Sequence, residues 1–404
     1  MKPMTRVARL WSSAALVVFN VLVILLILNG ISWLWLRRFD EPQRELPSGA
    51  VERRSGAPLK PVFPELTEAE ITQLVDETWS RTHAYEPLTG HTERPFRGRF
   101  VNVDEHGYRW GRRQAVWPPP PASVFVFGGS TTFGMGVPDA STIPAQLEEM
   151  LQEALGREVH VYNFGRGYYY SSQERALFGA LLESNIVPAI AVFIDGLNEF
   201  ILAEPSYSQR LRLLVDEPQR PRSAVTRMPL VSVLQGFLTD WRIRDLPDDT
   251  VQRPAADLST DRVLERYLLS KRMIKGMASQ FGVQVLFVWQ PVPTYRYDLR
   301  NHLYATRSNW LQNSGPRTRD GYAAFAARLA GEAPDTTFLW LADLQEGLAE
   351  PLYVDQVHYT VAMSRRIAAE IAKPLLIRLA PPTRGVGGTA ASREVSTRPG
   401  DSRE

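Results

Sequence analysis

The chain opens with an apolar run from about Trp11 to Leu36 that contains no charged side chain. A helix needs roughly 20 such residues to cross a bilayer, so the run predicts a membrane-spanning helix. Trp33 and Trp35 fall where an interfacial aromatic belt would lie. Asp40 to about Pro64 is polar, with Pro, Gly and charge, and predicts a linker. From Leu66 to Thr82 the apolar positions Leu66, Ile71, Leu74, Val75 and Trp79 take helical spacing, with Thr67 and Glu70 set as a capping box. Tyr85 to Arg113 has no clear period and predicts irregular structure. The prolines Pro118 to Pro121 delay regular structure until Val124.

From there the pattern alternates. Val124 to Phe127 reads as a short buried strand. Thr142 to Leu155 is helical, with Ile143, Leu147, Met150, Leu151 and Leu155 on one face. Strands follow at His160–Phe164, Ala189–Ile194, Val283–Trp289 and Thr337–Leu341, separated by helices at Ser172–Asn185, Asp261–Phe281 and Asp320–Gly331. Met363–Leu379 is a closing helix. This alternation predicts an α/β domain with a parallel sheet and helices on both faces. Ile201 to about Ser259 lacks a period and is rich in Pro and Arg, which marks an insertion. The expected organisation is an anchor (1–39), a linker (40–64), one large domain (65–380) and a disordered tail (381–404).

Composition narrows the chemistry. The net charge of +2 over 404 residues gives a nucleic-acid partner no electrostatic support. The absence of cysteine excludes disulfides and thiolate metal sites, and it fits any redox compartment. The six histidines are His83, His91, His106, His160, His302 and His358, so a catalytic histidine must be one of these.

The first strand runs into Gly128-Gly129-Ser130-Thr131-Thr132-Phe133-Gly134. Two glycines permit a sharp turn, and the serine then stands at the carboxyl end of a strand with its hydroxyl exposed and its N–H at a helix start. A phosphate cradle is the competing use of such a turn, but no lysine follows and G-x-G-x-x-G is absent. Later strand ends carry Gly165 and Gly167, then Asn198. Asp355 precedes His358 by three positions just before the closing helix, so its carboxylate can fold back onto the imidazole and fix the tautomer. A glycine N–H, the serine N–H and an asparagine amide can together hold an oxyanion.

With these residues the chain resembles the SGNH (GDSL-like) hydrolase superfamily. Phe127-Gly128-Gly129-Ser130 is similar to the nucleophile block, and Asn163-Phe164-Gly165-Arg166-Gly167 with Ser172-Gln173-Glu174 to the glycine block. Asp195-Gly196-Leu197-Asn198-Glu199 is similar to the asparagine block, and Asp355-Gln356-Val357-His358 to the final D-x-x-H. Order and spacing cover about Asn102 to Leu379. The resemblance implies a three-layer α/β/α flavodoxin-like domain that hydrolyses acyl esters without a cofactor. It implies Ser130 as nucleophile, His358 as base and Asp355 as its partner. The oxyanion hole is then Ser130, Gly167 and Asn198, with Gly165 as the alternative glycine. The chain departs from the family at Gly129 and Glu199, where aspartates are usual. It departs again at Tyr168, where counting from Asn163 places a glycine in many members.

Each block has a bland use when taken singly. Ser130 serves as an N-cap, Asn198 as a turn residue, Asp355 as a cap of the closing helix and His358 as a satisfied polar residue. Tyr168-Tyr169-Tyr170 line a substrate cleft or pack beside a strand. His106 and Arg109 touch an acidic or sugar ligand or build a structural turn. The insertion's Arg210, Arg212, Arg220, Arg222 and Arg227 meet lipid headgroups, meet an anionic glycan, or form a solvated lid.

For the N-terminal run the competing reading is a cleaved signal peptide. The run ends in Trp33-Leu34-Trp35-Leu36-Arg37-Arg38 with no A-x-A-like site, which favours an uncleaved anchor. Lys2, Arg6 and Arg9 before it balance Arg37, Arg38 and Arg44 after it, so charge does not orient the span. By family analogy the domain faces the periplasm from the inner membrane. Two function classes follow. One is a serine esterase or acyl transferase acting on an acylated small molecule, glycan or lipid at the membrane surface. The other is a non-catalytic module that binds an acylated ligand or scaffolds an envelope assembly.

Overall fold

The computed structural model describes residues 6–39, 59–201, 230, 259–305, 311 and 315–380. Helix α1 (Arg6–Phe39) holds the apolar run; its Ser13–Leu34 stretch, of mean hydropathy 2.7, is long and apolar enough to cross a membrane. Then come α2 (Glu68–Trp79), β1 (His83–Glu86), β2 (Gly90–Glu93), β3 (Phe96–Arg97) and β4 (Asn102–Val103). The main domain continues with β5 (Val124–Gly128), α3 (Ser130–Phe133), α4 (Ile143–Leu155), β6 (Val161–Asn163), α5 (Ser171–Glu183), β7 (Ile190–Asp195) and α6 (Leu197–Ile201). It closes with α7 (Thr260–Gln280), β8 (Gln284–Trp289), α8 (Gly315–Leu329), β9 (Phe338–Trp340) and α9 (Val361–Leu379).

The five-stranded sheet has the order β6-β5-β7-β8-β9, parallel throughout. Strand residues alternate between two faces, and both faces are buried. Val124, Val126, Ile190, Val192 and Ile194 pack with Ile143, Leu147 and Leu151 of α4 and with Met363, Ile367 and Ile371 of α9. Phe125, Phe127, Ala191 and Phe193 pack on the other face with Leu177 and Phe178 of α5 and Ile274 and Ala278 of α7. Covering both faces this way gives the three-layer α/β/α domain expected from the alternation. The chain leaves β5 for β6 on one side and returns to β7 on the other. The order therefore reverses at the carboxyl end of β5, where open α/β sheets bind ligands.

Several boundaries shift. Thr67 and Glu70 form the expected capping box, and Thr142 and Thr360 cap α4 and α9. Helix α8 starts at Gly315, earlier than Asp320, because Pro316 in its first turn needs no N–H partner. Leu59 and Phe63 are buried beside Leu74 and Phe133, so packed structure begins inside the expected linker. The stretch expected to be irregular, Tyr85–Arg113, instead holds two antiparallel pairs, β1–β2 and β3–β4. Its polar alternation carries no apolar face to announce a strand. Of the expected insertion only its edges and Leu230 are described, and the tail and most of the linker lie outside the described residues.

Arg109 joins this segment to the main sheet. It bridges Val103 and Asn163 through its backbone. Its side chain is fully enclosed: Nε meets Asp139 Oδ1 at 2.8 Å, and the guanidinium donates to the carbonyls of Phe133 (2.9 Å), Gly134 (2.5 Å) and Val137 (2.7 Å). The turn-building use of Arg109 is therefore the observed one. Arg109→Met removes the cation beside the buried Asp139, which keeps only its bonds from Asn102, and takes a donor from three carbonyls, so it should cost about 3–5 kcal/mol of stability. Arg109→Lys should recover little, since one ammonium cannot reproduce the planar fork. Denaturant unfolding of the variants checks both, and an Arg109→Met protein as stable as wild type refutes the account.

Candidate active site

The site is assembled at the carboxyl edge of the sheet. Gly129 is the N-cap of α3, and Ser130 is its first helical residue, whose N–H has no acceptor within the helix. A Cβ on residue 129 would lie 2.5 Å from Asn198 Nδ2 and 3.1 Å from the Tyr169 carbonyl. That close approach leaves room only for glycine at this position. It also sets Asn198 beside the serine turn.

The loop bearing Asp355 and His358 is closed by hydrogen bonds from Val354 N to His358 O (2.8 Å) and from Thr360 N to Leu352 O (2.9 Å). Asp355 Oδ1 accepts from the N–H groups of Val357 (3.0 Å) and His358 (2.9 Å), the local turn that aspartate favours. The fold-back brings His358 Nδ1 to 2.7 Å from Asp355 Oδ2, and His358 Nε2 to 2.8 Å from Ser130 Oγ. Burial works against charge on Asp355. The His358 imidazole and the two N–H donors outweigh it and hold the carboxyl down at about 2. An ionised Asp355 requires the proton on Nδ1, which leaves a lone pair on Nε2 facing the serine hydroxyl.

Gln290, at the end of β8, ties the two halves together. Its Oε1 accepts from Thr131 Oγ1 at 2.6 Å and from the Tyr359 hydroxyl at 3.3 Å, so the neighbours of Ser130 and His358 share one acceptor. Trp79 of α2 meets the His358 ring edge-on, with centroids 5.4 Å apart. Nothing in the sequence flagged Trp79 beyond its place in a helical stripe.

The oxyanion candidates are placed unequally. Asn198 Nδ2 donates one hydrogen to the Tyr169 carbonyl at 2.7 Å, which leaves its second for a ligand. The Gly167 N–H already donates to Glu93 Oε1 at 3.3 Å, and the Gly165 N–H to Asn163 Oδ1 at 3.0 Å. Neither glycine donor expected from the sequence stands open. Tyr168 adopts a left-handed φ of 65°, the conformation a glycine takes most easily. Tyr168 is 46% exposed while Tyr169 and Tyr170 are buried, so only the first of the three tyrosines can face a ligand. His91 and His302 are buried and pushed down to about 4, chiefly by burial, and His106 stacks on Trp117 at 4.2 Å. Among the described residues no cluster of His, Asp and Glu is placed to hold a metal ion.

Behind Asn198 lies a buried acidic group. Glu199 accepts from Ser171 N at 2.7 Å and pairs with Arg266 at 3.2 Å. Glu174 and Asp195 are buried neighbours whose carboxyl oxygens find no hydrogen-bond partner among the described residues. Burial first, and then the neighbouring carboxylates, push both well above the usual range, which favours their protonated forms. A raised carboxyl stabilises the fold fully below its unfolded value of about 4, and that stability is lost as pH rises toward the folded value, at about 1.4 kcal/mol per pH unit. Glu174→Gln keeps a hydrogen-bond donor and removes the titrating proton. Its melting temperature should gain on wild type steadily from pH 5 to pH 8. Parallel melting curves across that range would exclude a raised carboxyl at Glu174.

No protein-family model matches the chain, and no curated protein does. Solved structures similar in fold include a lipase, Lip_vut3, from a goat rumen metagenome, at 11% identity, covering 63% of this chain and 97% of that one, with a TM-score of 0.37. Another is a catalytic mutant of the acetylxylan esterase Axe2 from Geobacillus stearothermophilus, at 15% identity, covering 63% and 94%, with a TM-score of 0.35. A third is a member of the lipolytic protein G-D-S-L family from Veillonella parvula, at 11% identity, covering 64% and 97%, with a TM-score of 0.32.

Proposed function

We propose that the chain is a serine esterase that cleaves or transfers an acyl group, such as O-acetyl, through an acyl-enzyme. The observation that supports this reading is the continuous line Asp355–His358–Ser130, with contacts of 2.7 and 2.8 Å. In this scheme Ser130 Oγ attacks the ester carbonyl carbon while His358 Nε2 takes the hydroxyl proton. The imidazolium is steadied by Asp355, and the oxyanion by the Ser130 N–H and the Asn198 amide. Collapse breaks the ester C–O bond, and the same proton passes to the departing alcohol. Water, or an acceptor hydroxyl on a glycan or lipid, then attacks the acyl-serine with His358 again as base. Tyr168 and Trp79, at the rim of this line, are the surfaces a substrate would meet first. The enzyme needs no cofactor in this scheme.

Turnover of 4-nitrophenyl acetate and labelling by a fluorophosphonate, with the full chain in detergent, test the assignment. Ser130→Ala and His358→Ala should each abolish labelling and lower kcat on the order of 10⁶-fold, because the groups act as a unit. Asp355→Asn should cost less, about 10⁴-fold, and Asn198→Ala about 10²–10³-fold with the fold intact. Ester turnover surviving in Ser130→Ala refutes the mechanism. A wild-type chain that neither labels nor turns over moves the choice to the non-catalytic binding module.

The N-terminal run is proposed as an uncleaved inner-membrane anchor that holds the domain on the periplasmic side. Its length and its Trp-Leu-Trp-Leu-Arg-Arg ending support this. A C-terminal alkaline phosphatase fusion should be active and carry the intact N-terminus. A processed N-terminus, or activity only in a cytoplasmic reporter, would overturn it.

A further inference from the structure

The β1–β2 hairpin, which the sequence did not mark as functional, holds the turn that follows β6 from both sides. The Gly167 carbonyl lies 2.8 Å from His91 Nε2, and the Gly167 N–H lies 3.3 Å from Glu93 Oε1. His91 Nδ1 is buried without a partner, so Nε2 carries the proton and donates it to Gly167 O. Burial, and then His83 beside it, push His91 down to about 4, which keeps the ring neutral in this role. Burial also opposes charge on Glu93. Arg81 at 2.7 Å and His83 at 3.3 Å outweigh it and hold the carboxyl far below the usual range. The bond from Gly167 N–H is therefore made to an anion whose charge Arg81 balances.

The grip extends further along the turn. The Tyr169 hydroxyl donates to the His91 carbonyl at 2.5 Å, and Gln173 Nε2 donates to the Thr89 carbonyl at 2.8 Å. The Tyr169 carbonyl in turn accepts from Asn198 Nδ2 at 2.7 Å. A run of bonds thus leads from the hairpin, through Gly167 and Tyr169, to the amide that faces the serine turn. Gly165-Arg166-Gly167 has little stiffness of its own, because glycine restricts the backbone least. Oxyanion donors contribute only when they are held in place before charge develops.

We propose that the β1–β2 hairpin is a clamp on the turn that orients the Asn198 amide, with His91 and Glu93 as positioning residues for the acyl-transfer step. The inference rests on the esterase reading above. Removing the clamp leaves Ser130, His358 and Asp355 in place and loosens only the oxyanion side. The loss should therefore appear in kcat and in the labelling rate, with KM little changed.

His91→Leu removes the bond to Gly167 without adding charge, and His91→Gln keeps a donor of similar reach. Tyr169→Phe cuts the second tie and leaves the ring packed. In the full chain, with 4-nitrophenyl acetate, His91→Leu should lower kcat by about tenfold to a hundredfold with KM within about twofold, and fluorophosphonate labelling should slow in parallel. Tyr169→Phe should lower kcat by about threefold to tenfold in the same pattern, and His91→Gln should recover most of the loss. Deuterium uptake over residues 163–170 should rise selectively in His91→Leu and Tyr169→Phe, with uptake in β5 and α9 unchanged. Wild-type kcat in both variants, a loss that His91→Gln does not recover, or unchanged uptake over 163–170 would each overturn the clamp. Should wild type show no turnover, the esterase reading fails, while the uptake measurement still decides whether the hairpin holds the turn.

Discussion

A single 2.8 Å hydrogen bond joins Ser130 to His358 across 228 positions of sequence, and most of the domain exists to make that contact hold. Ser130 is delivered by β5, whose two faces are both buried, so its carboxyl end cannot drift. His358 comes from a loop anchored to the end of β8: the Tyr359 hydroxyl donates to the Pro291 carbonyl at 2.6 Å and lies 3.3 Å from Gln290 Oε1, the oxygen that Thr131 reaches. Parallel strands are what bring these ends together. Every strand of the sheet terminates on the same edge, so polar residues far apart in the chain collect there, in a crevice opened by the reversal of strand order at β5.

That part of the design was legible because its signals are local. A buried parallel strand shows as an unbroken apolar run, such as Val124–Phe127 or Ile190–Ile194. A helix start shows as Thr67 with Glu70, or as Thr142 and Thr360 at the right distance from an apolar stripe. An aspartate that accepts the N–H groups two and three residues on, as Asp355 does, makes its turn within four residues. None of these needs knowledge of the distant chain. The triad candidates could therefore be named from local signals together with the family resemblance, and the structure brings all three side chains together.

The hairpin stayed hidden for the opposite reason. His83-Ala84-Tyr85-Glu86 and Gly90-His91-Thr92-Glu93 show no alternation of apolar and polar side chains, because what they bury is polar. Glu93 is enclosed against Arg81 and the Gly167 N–H, and His91 against the Gly167 carbonyl, and these partners lie up to 76 positions away. The same applies to the choice of glycine. Gly167 resembles a free donor in one dimension, yet its N–H is committed to a residue that only the folded chain brings near. Tyr168, where the resemblance led one to expect glycine, adopts a left-handed backbone.

The buried charges around this edge have a common task. A buried ion pair is a poor source of stability, since apolar groups of similar volume often serve as well. Here each buried charge also satisfies main-chain groups of an irregular segment. Arg109 caps the carbonyls of Phe133, Gly134 and Val137, and Glu77 accepts the N–H groups of Arg99, Phe100 and Val101. Glu93 accepts from Gly167 and Glu199 from Ser171. These loops pack against one another at the site, where neither water nor a neighbouring strand can take up their N–H and C=O groups. Apolar side chains in the same places would fill the volume and leave those groups stranded, at about 1–3 kcal/mol each. Long charged side chains, which offer several hydrogen bonds from one position, let irregular backbone be buried beside the nucleophile. Glu174 and Asp195 have no such main-chain donor, and burial pushes both carboxyls well above the usual range.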